Sequence, residues 1–203
     1  DDITSNASSN ATNNLAITVS NTIADATSAN ITDLNEILAA TNGTVTATID
    51  GNQAELISIT ATGSDTGTST LTITVDDVVS AAQGASIADA TDVATVDYSA
   101  AGVSDSFSNL ADSGAVTTNM GKIDEKDANV NVTVSDTIAD ATAQNVTDLN
   151  ALLAATTGTV TATLTDNILT DLDDITSNAS SAATNNLAIT ISSTIANATA
   201  DNI

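Results

Sequence analysis

Six short segments of this chain alternate strictly between apolar residues and residues that carry a hydroxyl group. In each segment Val, Ile, Leu or Ala occupies every second position, and Thr or Ser occupies nearly all positions between. A period of two places each set on one face of a β-strand, so the pattern predicts strands with one buried and one exposed face. The segments are residues 15–20, 44–50, 71–76, 131–135, 159–165 and 187–192.

The apolar positions of these segments are the predicted core, and the Thr positions between them form a predicted outward-facing rank. Replacing a packed Ile such as Ile189 by Ala is expected to cost roughly 2–5 kcal/mol, and Val132 somewhat less. The predicted core comprises Ile17, Val19, Val45, Ala47, Ile49, Leu71, Ile73, Val75, Val132, Val134, Val160, Ala162, Leu164, Ile189 and Ile191. The Thr rank comprises Thr18, Thr46, Thr48, Thr72, Thr74, Thr133, Thr161, Thr163 and Thr190.

Between the strands the apolar spacing becomes that of a helix with one buried stripe. Asp33 and Glu36 have the spacing of a capping-box start, and Gly43 is expected to end the first helix. A second helix with the same pattern ends at Gly158, and a shorter one is expected within 168–175. The two clear stripes are Ile31, Leu34, Ile37 and Leu38, then Val146, Leu149, Leu152 and Leu153.

Long stretches of the chain recur. Residues 22–52 align with 137–167, and the eight residues that open the sequence return at 173–180. Strand, connector and short helix at a spacing of about 28 residues favour parallel pairing with crossovers on one side. We therefore expect an α/β fold: a repeat solenoid with a parallel β-sheet and short helices on the other side. We expect residues 1–203 to form one continuous array, with clean repeats at 1–77 and 129–203 and a divergent segment at 78–128.

One stretch resembles the leucine-rich-repeat core LxLxxNxL. In residues 162–169 the key places are taken by Ala162, Leu164, Asn167 and Leu169, whereas residues 17–24, 132–139 and 189–196 put Thr where that family has Asn. The resemblance implies an α/β solenoid. The Thr/Ala/Asp-rich composition of the repeats also resembles that of the giant repetitive cell-surface proteins of marine bacteria and cyanobacteria. This resemblance implies an extracellular or cell-surface location.

The charge and composition of the chain argue against several classes of function. The chain has 26 acidic and 2 basic residues, a net charge of −24, and neither His nor Cys. Nucleic-acid binding is not expected, because Lys and Arg must neutralise phosphates. No apolar stretch is long enough for membrane insertion. Without His or Cys a Ser nucleophile lacks its usual base, so we do not expect an enzyme.

Calcium is the one cofactor that the sequence suggests. Carboxylates are hard oxygen ligands, and Asp residues recur at the predicted strand exits. Stacked repeats would bring equivalent Asp side chains about 5 Å apart, where they repel one another unless a cation intervenes. The alternative is that Asp forms turns and caps helices, with no cofactor bound. The candidate ligands are Asp25, Asp89, Asp136, Asp140 and Asp166.

Two functions remain open at this stage. The first is an extracellular structural protein, such as an adhesin, sheath or filament subunit, whose partner is a further copy joined head to tail. The second is a binding module whose Thr face contacts ice or carbohydrate, with surface glycans as the partner. A thermal-hysteresis measurement separates the two.

Overall fold

The protein is a mixed α/β structure in which strands and helices alternate along most of the chain. This computed structural model describes residues 14–60, 69–90, 95–139, 142–166, 172, 174–175 and 184–191. The strands are β1 (Ile17–Thr18), β2 (Val45–Gly51), β3 (Thr70–Val75), β4 (Thr95–Asp97), β5 (Val103–Asp105), β6 (Ala111–Asp112), β7 (Ala115–Val116), β8 (Val132–Ala139), β9 (Thr159–Asp166) and β10 (Thr184–Ile191). The helices are α1 (Ser28–Ala40), α2 (Gln53–Leu56), α3 (Ala81–Ala90), α4 (Phe107–Leu110), α5 (Thr118–Lys126) and α6 (Ala143–Ala155).

Two parallel sheets contain most of the strands. One has the order β1-β2-β3-β4 and the other the order β10-β9-β8-β5, while β6 and β7 form an antiparallel hairpin. An isolated parallel bridge joins Val79, which lies between β3 and α3, to Val103 of β5. The Val79 N–H donates to the Gly102 carbonyl at 3.2 Å, and the Ser104 N–H donates to the Val79 carbonyl at 2.9 Å. The predicted α/β class with parallel sheets is confirmed.

The register between neighbouring strands is not uniform. Ile17 pairs with Val45 and Val132 with Val160, each 28 positions further along the chain. Ile73 pairs with Val96, only 23 positions away, and Val103 pairs with Val132, 29 positions away. Loops and helices of different length therefore connect strands that nevertheless lie side by side.

Alternation along the strands separates core from surface. In β2 the side chains of Val45, Ala47 and Ile49 are buried, whereas Thr46 and Thr48 are exposed. The same alternation holds in β3 and in the first half of β8. The helices close the other side of the core with the buried stripes Ile31, Leu34 and Leu38 in α1 and Val146, Leu149, Leu152 and Leu153 in α6.

One predicted core residue lies at the edge of a sheet. Ile189 in β10 is 47% exposed, while its register partner Leu164 in β9 is 1% exposed. No described strand covers the other flank of β10, so the prediction that Ile189 is buried was wrong. Ile17 and Val19 at the opposite edge are half-buried for the same reason.

Both long helices begin earlier than expected, because a Thr–Asn pair caps them. The Thr27 hydroxyl oxygen accepts the Asn30 N–H at 3.3 Å, and the Asn30 side-chain oxygen accepts the Thr27 N–H at 3.0 Å. Thr142 and Asn145 repeat this box at α6. The expected start at Asp33 and Glu36 was wrong, since each reciprocal Thr–Asn pair already satisfies orphan N–H groups at the helix start.

Gly43 has a steric role and does not itself end the first helix as predicted. The first helix already ends at Ala40, and Thr41 is its C-cap. The Thr41 hydroxyl donates to the Leu15 carbonyl, which lies just before β1, at 2.7 Å and accepts the Gly43 N–H at 2.9 Å. A Cβ on Gly43 would lie 2.5 Å from the Leu15 oxygen. Thr156, Gly158 and Val130 form the same arrangement in the second copy, so a Thr–Gly clasp joins neighbouring strands twice.

The divergent segment 78–128 is built into the same core. The buried Tyr98 hydroxyl donates to the Gly84 carbonyl at 2.8 Å, and the Tyr98 N–H donates to buried Asp127 at 2.7 Å. Further along, Ser113 and Gly114 both have positive φ, as a two-residue hairpin turn between β6 and β7 requires. The segment thus continues the core without following the clean repeat.

Candidate functional site

An acidic cavity lies where the first three strands end. It has a volume of about 430 Å³ and is bounded by the connection from β1 to α1, the end of β2 with the start of α2, and the residue that follows β3. Parallel strands place their carboxyl ends at one edge of the sheet, which explains why residues far apart in sequence meet there. The lining residues are Asp25, Ala26, Thr27, Ser28, Gly51, Asn52, Glu55 and Asp76.

Backbone geometry brings the carboxylates to this edge. Asp25 adopts a left-handed conformation with φ of 47°, which Asp tolerates better than most residues. The Asp76 N–H donates to the Gly51 carbonyl at 3.0 Å and so fixes Asp76 beside the end of β2. Among the described residues, the buried atoms Asp50 Oδ1 and Glu55 Oε2 have no hydrogen-bond partner, so negative charge accumulates at this edge.

This accumulation changes the acidity of Asp76. A hydrogen bond with Asp50 favours the protonated form and raises the pKa of Asp76 from 3.8 to about 6, with burial and repulsion from Asp50, Asp25 and Asp77 acting in the same direction. Two carboxyl groups that share a proton cannot both ionise freely. Proton uptake or a bound cation would therefore reduce the repulsion between Asp50 and Asp76.

The predicted calcium ligands do not gather at one place. Asp25 lines the cavity, whereas Asp89 forms an ion pair with Lys122 at 2.6 Å and Asp136 accepts the Phe107 N–H at 2.7 Å. Asp140 and the side chain of Asp166 lie outside the described residues. Within the described parts of the chain, no three acidic side chains converge closely enough to hold a metal ion.

Three Asp residues have a structural role that the sequence did not reveal. Each accepts the first N–H of a helix that precedes it by 24 or 29 positions: Gln53 donates to Asp77, Ala81 to Asp105 and Phe107 to Asp136. A helix start leaves its first N–H groups unpaired, and a carboxylate there also suits the positive end of the helix dipole. The spacing of 24 or 29 positions between a helix start and a later Asp, which is close to the strand-to-strand register, is the sequence signal that would have indicated this set.

The cap at α3 also affects acidity. Burial alone would raise the pKa of Asp105, but hydrogen bonds from Asn109, Ser106 and Ala81 stabilise the carboxylate and lower the pKa overall. The Asp105 cap is therefore ionised throughout the neutral range, and its carboxylate is already occupied by donors of the chain. This favours helix capping over metal binding for the Asp residues outside the cavity.

The Thr face forms rows that cross the strands. Thr18, Thr46 and Thr70 are register partners in one row, as are Thr48, Thr72 and Thr95 in the next. The following row alternates Asp50, Thr74 and Asp97, so carboxylates interrupt it. Of the predicted rank, Thr74 and Thr161 are half-buried, and the exposed members are Thr18, Thr46, Thr48, Thr72, Thr133, Thr163 and Thr190.

Comparisons with other proteins add no assignment: no protein family, curated protein sequence or solved structure matches this chain. Among the described residues, no helix has both the length and the apolar character needed to cross a bilayer.

Proposed function

We propose that this protein is an extracellular structural protein of the adhesin, sheath or filament type, whose copies join end to end. Its strands follow one another in chain order across each parallel sheet, and the Val79–Val103 bridge carries this order from one sheet to the other. That order supports an α/β solenoid whose coils span about 23 to 29 residues. In such an array each coil contacts only its neighbours, so a further copy can extend the stack.

The observation that carries the proposal is an apolar layer that reaches a sheet edge where no described strand covers it. Ile138, Leu164 and Ile189 are register partners in β8, β9 and β10. The first two are buried, whereas Ile189 is 47% exposed. An open edge also presents N–H and C=O groups that pair readily with another strand. The edge at β10 therefore offers both an apolar contact and main-chain hydrogen bonds to a second copy.

Net charge sets the conditions for assembly. Two copies that each carry a charge of −24 repel one another, and salt screens this repulsion over about 8 Å at physiological ionic strength. We therefore expect association to be stronger in physiological than in low salt.

Analytical ultracentrifugation at micromolar concentration should show association of the native chain, and Ile189→Lys should weaken that association about tenfold or more. The variant places an ammonium group where an apolar flank would otherwise be buried, and each 1.4 kcal/mol lost corresponds to tenfold in affinity. Val78→Lys is the matched control, because Val78 is also aliphatic and β-branched, lies away from β10 and is 60% exposed. A native chain that sediments as a monomer in both low and physiological salt would refute end-to-end assembly.

Binding of ice or carbohydrate by the Thr face is the alternative proposal. Its support is the array of register-paired Thr residues, with rows that follow the strand spacing. The carboxylates of Asp50 and Asp97 interrupt the third row, which weakens the case for a regular lattice contact.

Calcium binding at the acidic cavity is a further part of the proposal. The buried, unpaired oxygens of Asp50 and Glu55 support it, since hard carboxylate oxygens suit Ca²⁺. The exposed side chains of Asp25 and Asp76 would have to rotate toward a common point. Binding only to the folded state would raise its stability by mass action.

Thermal unfolding of the native chain should show a higher Tm at pH 5 than at pH 7. The pKa of Asp76 is about 6 when folded and has its ordinary value near 3.8 when unfolded, so the folded state binds more protons between these values. Its stability therefore falls as the pH rises through 6. Asp50→Asn should raise the Tm at pH 7 and remove most of the difference between the two pH values.

The Asp50→Asn variant also tests calcium binding. Millimolar Ca²⁺ should raise the Tm of the native chain above that in Na⁺ of equal ionic strength, and Asp50→Asn should lose most of this rise. Asp33→Asn removes one negative charge from the exposed face of α1 and serves as the control for net charge. Equal Tm values in the two salts would refute a calcium site, while leaving the pH effect of Asp76 intact.

A further inference from the structure

The segment that contains β10 is almost a duplicate of the segment that contains β1. Residues 181–191 differ from residues 9–19 at two positions only, Ala182 for Asn10 and Ile191 for Val19. Leu187, Ile189 and Thr190 thereby correspond to Leu15, Ile17 and Thr18. The strand that ends one sheet has the side chains of the strand that begins the other.

The contacts that hold β1 against β2 depend on features that both segments share. The Ile17 N–H donates to the Thr44 carbonyl and the Val19 N–H to the Thr46 carbonyl, each at 2.9 Å. The clasp formed by Thr41 and Gly43 acts on the Leu15 carbonyl, again a main-chain group. Nothing in this set distinguishes residues 15–19 from residues 187–191.

A third copy of this strand type shows its complete environment. β8 pairs with β5 along one edge and with β9 along the other, and Thr156 and Gly158 clasp it through the Val130 carbonyl. β9 carries the same Thr-Val-Thr-Ala-Thr sequence as β2. A strand of the β1 type thus has, on one edge, a partner of the β2 type. β10 has β9 on one edge, and no described strand lies on the other.

We infer that, at the joint between two copies, β10 of one copy pairs with β2 of the next and takes the place that β1 occupies within a single copy. This inference rests on the proposed end-to-end assembly and specifies its joint. β10 keeps its pairing with β9. By analogy with the Ile17–Val45 and Thr18–Thr46 pairs, Ile189 would lie opposite Val45 and Thr190 opposite Thr46 of the next copy.

The exchanged joint gives β10 a longer strand to pair with than a direct contact between β10 and β1 would. β1 is a strand for only two residues, Ile17–Thr18, whereas β2 is a strand over seven, Val45–Gly51. In the exchanged joint β2 loses β1 and gains a near-identical strand, while the open flank of Ile189 becomes covered. Each copy's own β1 competes at high effective concentration, so the exchange should be slow and should depend on protein concentration.

Pairs of cysteines can distinguish the two joints, because the native chain contains no Cys. Thr18, Thr46 and Thr190 are exposed, so Cys at these positions should leave the fold intact. Within one copy, Thr46 and Thr190 are separated by several strand spacings, about 20 Å or more. A short bifunctional thiol reagent applied to Thr46→Cys/Thr190→Cys should therefore link only different copies, and we expect a ladder of oligomers on a denaturing gel.

Two further pairs complete the test. Thr18→Cys/Thr46→Cys should be linked within one copy at low concentration, which shows that β1 and β2 are folded as described. A ladder from Thr18→Cys/Thr190→Cys, with Thr46→Cys/Thr190→Cys remaining monomeric, would show edge-to-edge contact without exchange and overturn this inference alone. Association in the centrifuge with no ladder from either pair would also overturn it. A chain that sediments as a monomer and gives no ladder would refute the proposed assembly as well.

Discussion

Replacing Leu164 by Ala should lower the free energy of unfolding by about 2–5 kcal/mol, whereas Ile189→Ala in the dilute monomer should cost less than about 1 kcal/mol. The two residues are register partners in the same apolar layer. Leu164 is enclosed between β8 and β10, so its removal leaves a cavity, while Ile189 is already half in solvent. Denaturant unfolding monitored by circular dichroism, at a concentration below that of association, measures both values.

The pair also separates folding from assembly. At concentrations where the native chain associates, Ile189→Ala should reduce association although it hardly changes the stability of the monomer. Equal losses of stability for the two variants in the monomer would contradict the edge position of β10.

Gly158→Ala should destabilise the protein by about 1–3 kcal/mol, even though a single methyl group is added. Its Cβ would clash with the carbonyl oxygens of Val130 and Asn129. Both contacts are with main-chain atoms, which cannot rotate away as a flexible side chain could. The substitution must therefore push apart the loop before β8 and the loop before β9, and it should weaken the hydrogen bond from Thr156.

Gly121→Ala is the matched control. Gly121 lies in α5, and the nearest atom to an added Cβ there is a methyl carbon of Val116 at 4.0 Å. Ala is favoured over Gly in a helix by about 0.5–1 kcal/mol, so this variant should be slightly more stable than the native chain. Thermal unfolding should then move in opposite directions for the two glycines, and a stabilising Gly158→Ala would contradict the clasp.

Strand alternation predicted the interior of the sheets well. The expected strand at 44–50 is Val45–Gly51, and the one at 159–165 is Thr159–Asp166. Both have a described neighbour on each side, so the alternation of the sequence matches a face that is really buried. At the edges the same pattern overestimated burial, as at Ile189, because a sequence period reports which face a residue occupies and not whether a neighbouring strand covers it.

The divergent segment was harder to predict, because small residues carry its packing. α3 is rich in Ala and contains Gly84, where an added Cβ would lie 2.6 Å from a side-chain carbon of Ile123 in α5. Such close helix contacts need small residues such as Ala and Gly, which contribute little to a hydrophobic periodicity. Tyr98 and Asp127 form a hydrogen bond although they are 29 positions apart in the sequence, and no local sequence pattern predicts such a contact.

The acidic cavity was predicted in part. Asp25 was among the expected ligands, but its neighbours Asp76 and Glu55 were not, since the expected ladder assumed equal spacing of equivalent Asp residues. The register from β2 to β3 is 24 positions, against 28 from β1 to β2, and this difference decides which carboxylates face one another. Connection length, which depends on tertiary packing, therefore set the composition of the site.

The carboxylates of Asp77, Asp105 and Asp136 have a consequence for the order in which the chain acquires structure during synthesis. Each completes the start of a helix that left the ribosome 24 or 29 residues earlier. At a synthesis rate of about 5–20 residues per second, the capping Asp emerges roughly one to six seconds after the helix start. The nascent chain should therefore complete each of these helix starts only after the capping Asp has emerged, so that structure spreads along it with a lag of 24 or 29 residues.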